Sequence, residues 1–244
     1  MSELELRKIP LILVTPHTRA EVEPFRRKIG HGHPFIVENG GGIFFPDGYF
    51  NVRIPGAVRN SRYLCIAQGK PYPEVCEALD DIAQECGVGV AGFHHMSLRE
   101  IADNSGLRPR DAEQVRSREF EELFYFTSAD EAGIARFVEA ARLQGYTARQ
   151  GGAFWHFSHG CDPARAVRNL TELFREATRT KLRSVGIGVD ADDLVWLRAT
   201  DQAIMLPGGR VNPEELKSNH AKNIITGNAS GPAGWSEVIS DIIS

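Results

Sequence analysis

A chain of 244 residues with 42% hydrophobic and 25% charged residues has the balance of a soluble globular protein, long enough for one large domain or a core carrying an insert. Its net charge of −4, with Lys and Arg dispersed, leaves no electrostatic footprint for nucleic acid, and no apolar run approaches the roughly 18 residues needed to span a bilayer. Acids at Glu3 and Glu5, where a signal peptide would be basic, and Cys65, Cys76, Cys86 and Cys161 without zinc or CxxC spacing point to a cytoplasmic protein with reduced thiols.

Pro10–Thr15 is a strand-length apolar run without alternation, as a buried parallel strand shows. Thr18-Arg-Ala-Glu21 has capping-box spacing and opens a helix to about Ile29. Thr15 therefore lies at a strand's carboxyl end, where a hydroxyl can hold an anionic oxygen or simply help a helix begin. Pro34 to Phe45 reads as two short strands about Gly40-Gly-Gly42, a tight hairpin or a ligand-facing loop. Composition shifts at Pro46-Asp47-Gly48, a domain boundary, and periodicity is poor to Pro73.

Tyr72–Cys86 reads as a helix with Val75, Leu79 and Ile82 on one face, and Ser97 starts another with a capping box, ending by Ser105-Gly106. A third begins at Pro109. Between the first two, His94-His95 has no ligands nearby in sequence at metal spacing and reads as structural. Glu122–Thr127 is a strand by its aromatic content, Asp130–Leu143 an amphipathic helix, and Tyr146–Gln150 and Ala153–Phe157 two strands. His156 either faces a cleft or is a hydrogen-bonded structural histidine.

Asp162–Thr178 returns to helix. Ser184–Val189 is a buried strand that empties into Asp190-Ala-Asp192-Asp193, with a short helix and a strand at Gln202–Leu206 beyond. Three carboxylates there suit a hard cation such as Mg²⁺, or cap the next helix. Trp235, after Gly-Pro-Ala-Gly, reads as core packing of a C-terminal helix.

Several stretches together resemble the haloacid-dehalogenase-like (HAD) phosphatases, and within them the mannosyl-3-phosphoglycerate phosphatase branch. Ile9 to Glu21 is similar to that branch's second motif, a strand ending in Thr followed by Ser-Lys-Thr-Arg-Ala-Glu. Pro34-Phe-Ile-Val-Glu-Asn-Gly40 resembles its turn before the cap, and Ser117-Arg-Glu-Phe-Glu-Glu-Leu-Phe124 a stretch within the cap. Gly152–His156, Asp162–Val167, Ser184–Leu194 and Gly231–Trp235 continue the match in order over nearly the whole chain.

The resemblance implies an α/β fold: an HAD-like Rossmannoid core with a parallel sheet, residues 1–47 and 161–244, and an inserted α+β cap, residues 48–160. It implies a Mg²⁺-dependent phosphomonoesterase in which an Asp at the end of the first strand attacks phosphorus. By position, Thr15 and Arg165 are the expected phosphate contacts, Glu38, Asn39, Gly40, Arg118 and His156 the substrate contacts, and Asp190, Asp192 and Asp193 the metal ligands. The implied ligand is a small phosphorylated sugar acid; oligomeric state is not implied.

Three departures touch the chemistry. The central strand carrying Asp-x-Asp is not in the chain as read, so no catalytic nucleophile is assigned. Either a start about 25–35 residues upstream or a degenerate family member accounts for it, and the Thr15 and Val189 strands are then expected to carry unpaired edges. Pro163 stands where the family has its motif-three lysine, and Val189 where it has the first acid of motif four. His17 replaces a lysine, removing a fixed charge near neutral pH. Impaired catalysis is the expectation, with a non-catalytic binding or regulatory homologue as the alternative.

Overall fold

The computed structural model describes residues 2–209 and 224–243, which fall into two units, residues 1–162 and 163–244. In the first, a short helix α1 (Ser2–Leu6) precedes β1 (Leu13–Val14) and α2 (Arg19–Lys28). The hairpin follows as β2 (Phe35–Val37) and β3 (Gly42–Pro46), then β4 (Val58–Asn60) and β5 (Tyr63–Ala67). These strands make one sheet in the order β1-β2-β3-β5-β4, with β1 and β2 parallel and the rest antiparallel.

The rest of this unit is a helix-covered antiparallel sheet. Its helices are α3 (Tyr72–Cys86), α4 (Leu98–Ser105), α5 (Pro109–Arg116) and α6 (Glu131–Leu143). Its strands are β6 (Gly89–Gly92), β7 (Glu121–Ser128), β8 (Tyr146–Gly151) and β9 (Phe154–His159), ordered β6-β7-β9-β8. Val75, Leu79 and Ile82, the expected face of α3, are fully buried against Phe124, Phe137 and Phe157.

The second unit holds α7 (Pro163–Thr178), β10 (Val185–Gly188), α8 (Leu194–Leu197), β11 (Gln202–Met205), β12 (Ile224–Thr226) and α9 (Gly231–Ile243). Its three strands are all parallel, in the order β10-β11-β12. The parallel pairing expected of the core is present in both units. Among the described residues β1 ends one sheet and β10 the other, as expected of the Thr15 and Val189 strands.

Two local outcomes differ from the sequence reading. Strand β1 is two residues rather than six, because Pro10 has no N–H to give and the Leu11 carbonyl oxygen lies 2.7 Å from His31 Nε2. The hairpin's glycines also divide their roles. Glu38, Asn39 and Gly40 make the turn at positive φ (48°, 52° and 85°), whereas Gly41 sits at φ −63°. Gly41 is needed for close approach, since a Cβ there would lie 2.5 Å from Phe120 Cβ.

The capping signals formed as read. Thr18 is fully buried, accepts from Glu21 N at 3.2 Å, and Glu21 Oε2 takes the Thr18 amide at 2.8 Å. The Thr18 hydroxyl also donates to the Gln114 carbonyl at 2.8 Å, tying α2 to α5. Thr18→Ala is expected to lower stability by about 1–2 kcal/mol, read from the urea midpoint. A change below about 0.5 kcal/mol, the ordinary level for a surface substitution, would show that the cap contributes nothing.

Candidate functional site

The carboxyl ends of β1 and β2 lie side by side, and the chain leaves both into polar turns. In an open α/β sheet this is where ligands bind. Backbone bonds stitch the two exits together: Glu38 N–H donates to the His17 carbonyl at 3.1 Å and Asn39 N–H to that of Thr15 at 3.3 Å. The Thr15 hydroxyl accepts the His17 amide at 3.2 Å, and His17 Nδ1 lies 2.9 Å from Glu21 Oε1. The Glu21 hydrogen bond, opposed by partial burial, raises the His17 pKa above its usual value. That offsets part of the charge a lysine here would have fixed. Thr15, His17 and Glu21 line an open cavity of about 470 Å³, walled by Val22, Phe25 and Leu107.

Behind the Glu38–Gly40 turn is a buried polar network. Glu38 is fully buried, and its carboxylate accepts the backbone amides of Glu119 (2.9 and 3.1 Å), Phe120 (2.8 Å) and Glu121 (3.0 Å). Burial pushes its carboxyl up to about 7, against the pull of Arg118 and those amides. Asn39 Nδ2 donates to Glu121 Oε1 at 2.8 Å. Arg118 donates to Glu121 Oε2 at 2.7 Å and to the Glu121 carbonyl at 2.6 Å. His156 Nδ1 lies 3.1 Å from that same Oε2. Burial works against the Glu121 charge, but His156 and Arg118 win and hold its pKa below the usual carboxylate range.

Glu38, Asn39, Gly40, Arg118 and His156 are thus brought together, around a residue the sequence reading passed over. Glu121 and its neighbour Glu122 open an aromatic strand and are both buried. Successive strand residues point to opposite faces, so the two carboxylates serve different clusters. Two acids leading a half-buried strand were the available signal, but their partners are distant in sequence.

Glu122 faces the second cluster. Its carboxylate accepts from Phe93 N (3.1 Å), His94 N (3.3 Å), Leu123 N (2.6 Å) and the Tyr72 hydroxyl (2.8 Å), and lies 2.6 Å from His94 Nδ1. His94 Nε2 and His95 Nε2 each lie 3.2 Å from Asp80 Oδ2. His94-His95 therefore does have ligand-type neighbours, supplied by α3 and β7 rather than by adjacent sequence. Burial opposes the charged His94 ring, yet Cys76, Glu122 and Asp80 together push its pKa up to about 11.

The remaining expected residues lie in the second unit. Arg165 is exposed on the first turn of α7, which begins with Pro163. Val189 is 38% exposed just past β10. Asp193 Oδ2 takes the amides of Val189 (2.7 Å) and Asp190 (3.0 Å), and its Oδ1 takes the Trp196 indole N–H (3.1 Å). Oxygen donors of this kind suit Mg²⁺, but their arrangement does not fit it. Both Asp193 oxygens are engaged, and the Asp190, Asp192 and Asp193 carboxylates are not among the described groups whose ligand atoms converge within 4.8 Å.

Parallel strands opening into polar turns, joined with an antiparallel sheet and its helices, define the class as the haloacid dehalogenase-like hydrolase fold. A hydrolase of that class from Bacteroides thetaiotaomicron aligns with a TM-score of 0.61 at 16% identity, over 98% of this chain and 89% of its own. No family model matches the chain. The glucosyl-3-phosphoglycerate/mannosyl-3-phosphoglycerate phosphatase of Methanococcoides burtonii is 32% identical over 244 residues, 98% of this chain and 87% of that protein. That of Persephonella marina is 32% identical over 247 residues, covering 100% and 88%. The chain belongs to the mannosyl-3-phosphoglycerate phosphatase family. No helix among the described residues is long and apolar enough to cross a membrane.

Proposed function

We propose that this chain binds a phosphorylated glycosyl-glycerate and hydrolyses it only feebly. Its relatives' names supply the substrate class. One observation carries the impairment: two positions where the family sets charged catalytic groups hold Pro163, the first residue of α7, and Val189, exposed beyond β10. A pyrrolidine ring and an isopropyl group can neither neutralise phosphate charge nor hold a cation, and both lie inside the chain. The engaged oxygens of Asp193 support the same reading.

In this reading Thr15 and the raised-pKa His17 meet the phosphate from the β1 exit. Asn39, Gly40 and His156 meet the sugar-acid portion, and Glu38 and Arg118 act by holding that turn. Arg165 is proposed as a phosphate contact of the second unit. Residues 48–160 are the expected inserted cap, but β4 and β5 continue the sheet of β1–β3, so the cap is proposed to begin after Ala67 and run to residue 160, with the preceding residues and 161–244 as the core. Losing one preorganised charge contact lowers such rates on the order of 10²–10³-fold, and two are lost.

The test pairs calorimetric binding of 2-O-mannosyl- and 2-O-glucosyl-3-phosphoglycerate with a phosphate-release assay on the same protein in Mg²⁺. Saturable binding with turnover at least about 10²-fold below the roughly 10 s⁻¹ typical of enzymes supports the proposal. Ordinary turnover abolished by EDTA overturns it, as does failure to bind either ligand. Binding with no turnover at all would assign the chain to a purely non-catalytic role on this fold.

A further inference from the structure

The cluster around His94 is not used by the proposed function, and its geometry matches a different kind of chemistry. Asp80 projects from α3, and His94 and His95 from the turn that follows β6. Each brings one ligand atom within 4.8 Å of the other two. Both imidazole Nε2 atoms lie 3.2 Å from the same Asp80 oxygen. Ligands about 2.0–2.1 Å from a tetrahedral Zn²⁺ are about 3.3 Å apart, so these spacings are those of ligands on one face of such an ion.

The surroundings reinforce the match. A zinc-bound histidine characteristically donates its other ring N–H to a carboxylate, which fixes the ring and raises its basicity. His94 Nδ1 is 2.6 Å from Glu122, a carboxylate fully buried and itself held by the Phe93, His94 and Leu123 amides and the Tyr72 hydroxyl. The support for the ring is thus rigid, while the ligand side is open to solvent: the Asp80 and His95 side chains are 43% and 42% exposed. The two rings lie with centroids 3.8 Å apart and planes tilted by 42°, and both present Nε2 to the same Asp80 oxygen.

We propose that Asp80, His94 and His95 form a site for a zinc-class divalent ion, with Glu122 orienting His94 and solvent at the fourth position. Two imidazoles and one carboxylate suit Zn²⁺; Mg²⁺, which takes oxygen ligands in octahedral geometry, is disfavoured. On binding, His94 releases its Nε2 proton to solvent. His95 Nδ1 accepts the Gly92 amide in a long 3.3 Å bond, so the His95 proton moves from Nε2 to Nδ1 through solvent and that bond is given up. The ion would pin α3 to the β6–α4 connection, holding Glu122 in place on the strand that also carries Glu121. Cys76 Sγ, 3.3 Å from Glu122 Oε2, stays outside the ligand set.

The experiment titrates the chelator-stripped full chain with Zn²⁺ in excess Mg²⁺, by calorimetry and thermal unfolding. One equivalent per chain is expected, with Tm rising with Zn²⁺ concentration. His95→Ala and Asp80→Asn are each expected to weaken binding at least about tenfold and to abolish the Tm rise. Both side chains are substantially exposed, and circular dichroism of each variant is the check that it folds. Cys76→Ser, which removes the thiol beside His94 and Glu122 while keeping a donor to Glu122, is expected to keep both effects. Co²⁺ in place of Zn²⁺ is expected to give tetrahedral d–d bands without thiolate charge transfer. No binding at 100-fold molar excess of Zn²⁺, binding unchanged in His95→Ala and Asp80→Asn, loss in Cys76→Ser, or a thiolate band from cobalt would each overturn the assignment.

Discussion

Arg118→Met is expected to lower the unfolding free energy by about 3–5 kcal/mol, the range for removing one partner of a buried ion pair. The Arg118 and Glu121 side chains are 2% and 1% exposed, so neither charge has water to fall back on. Without the guanidinium, Glu121 keeps only Asn39 and His156, and the Glu121 carbonyl loses its 2.6 Å donor. Burial then disfavours the carboxylate without the charge that offset it. Adding Glu121→Gln is expected to recover about half of the loss, since Glu121 is then no uncompensated charge while its amide can still accept from Asn39, and Glu38 alone still lacks its cation. Urea unfolding of the four proteins in this cycle measures both quantities. A loss below about 1 kcal/mol for Arg118→Met, the level of a surface pair, would mean that water reaches the network.

Much of this protein could be read from local chemistry, and the exceptions share a cause. Helices with explicit punctuation were legible: Thr18 and Ser97 with glutamates three residues on, and Gly106, in the left-handed conformation, at the end of the second of these. Strand β6, Gly89-Val-Ala-Gly92, was not, because it has neither alternation nor bulky β-formers. It is a strand through its pairing with β7. In the irregular Pro46–Pro73 stretch β5 likewise depends on β3 as a template, and β4 on β5. The candidate site divides in the same way. Asn39, Arg118 and His156 came from motif resemblance, and the fold joins them through Glu121, which no local pattern marked. Asp80 and Glu122 lie 14 and 28 residues from His94, beyond any spacing rule a single sequence offers.

Glu38 carries the other large expected effect, because one buried carboxylate satisfies three backbone amides across more than 80 residues of sequence. Glu38→Ala leaves the Glu119, Phe120 and Glu121 donors without their acceptor. At about 1–3 kcal/mol for each unsatisfied buried group, and with partial repair by relaxation, a loss of about 3–5 kcal/mol is expected. Glu38→Gln keeps one oxygen for those amides and should lose much less, but it removes the titration. Folding raises this carboxyl from 4.5 to about 7, so between those values the folded chain holds a proton that the unfolded chain has released. The associated stability is fully present below pH 4.5 and is lost as pH rises through 7, by about 3 kcal/mol in total. His17, also raised, adds a loss in the same direction, whereas Glu21 and Glu121, both lowered, act oppositely as pH falls. Subtracting the Glu38→Gln profile from that of the parent chain cancels the His17 and Glu21 contributions and leaves that of Glu38 with its coupling to Glu121. The difference should fall steadily from pH 4.5 to 7.5, and a flat line would show instead that the amides and Arg118 keep Glu38 ionised despite its burial.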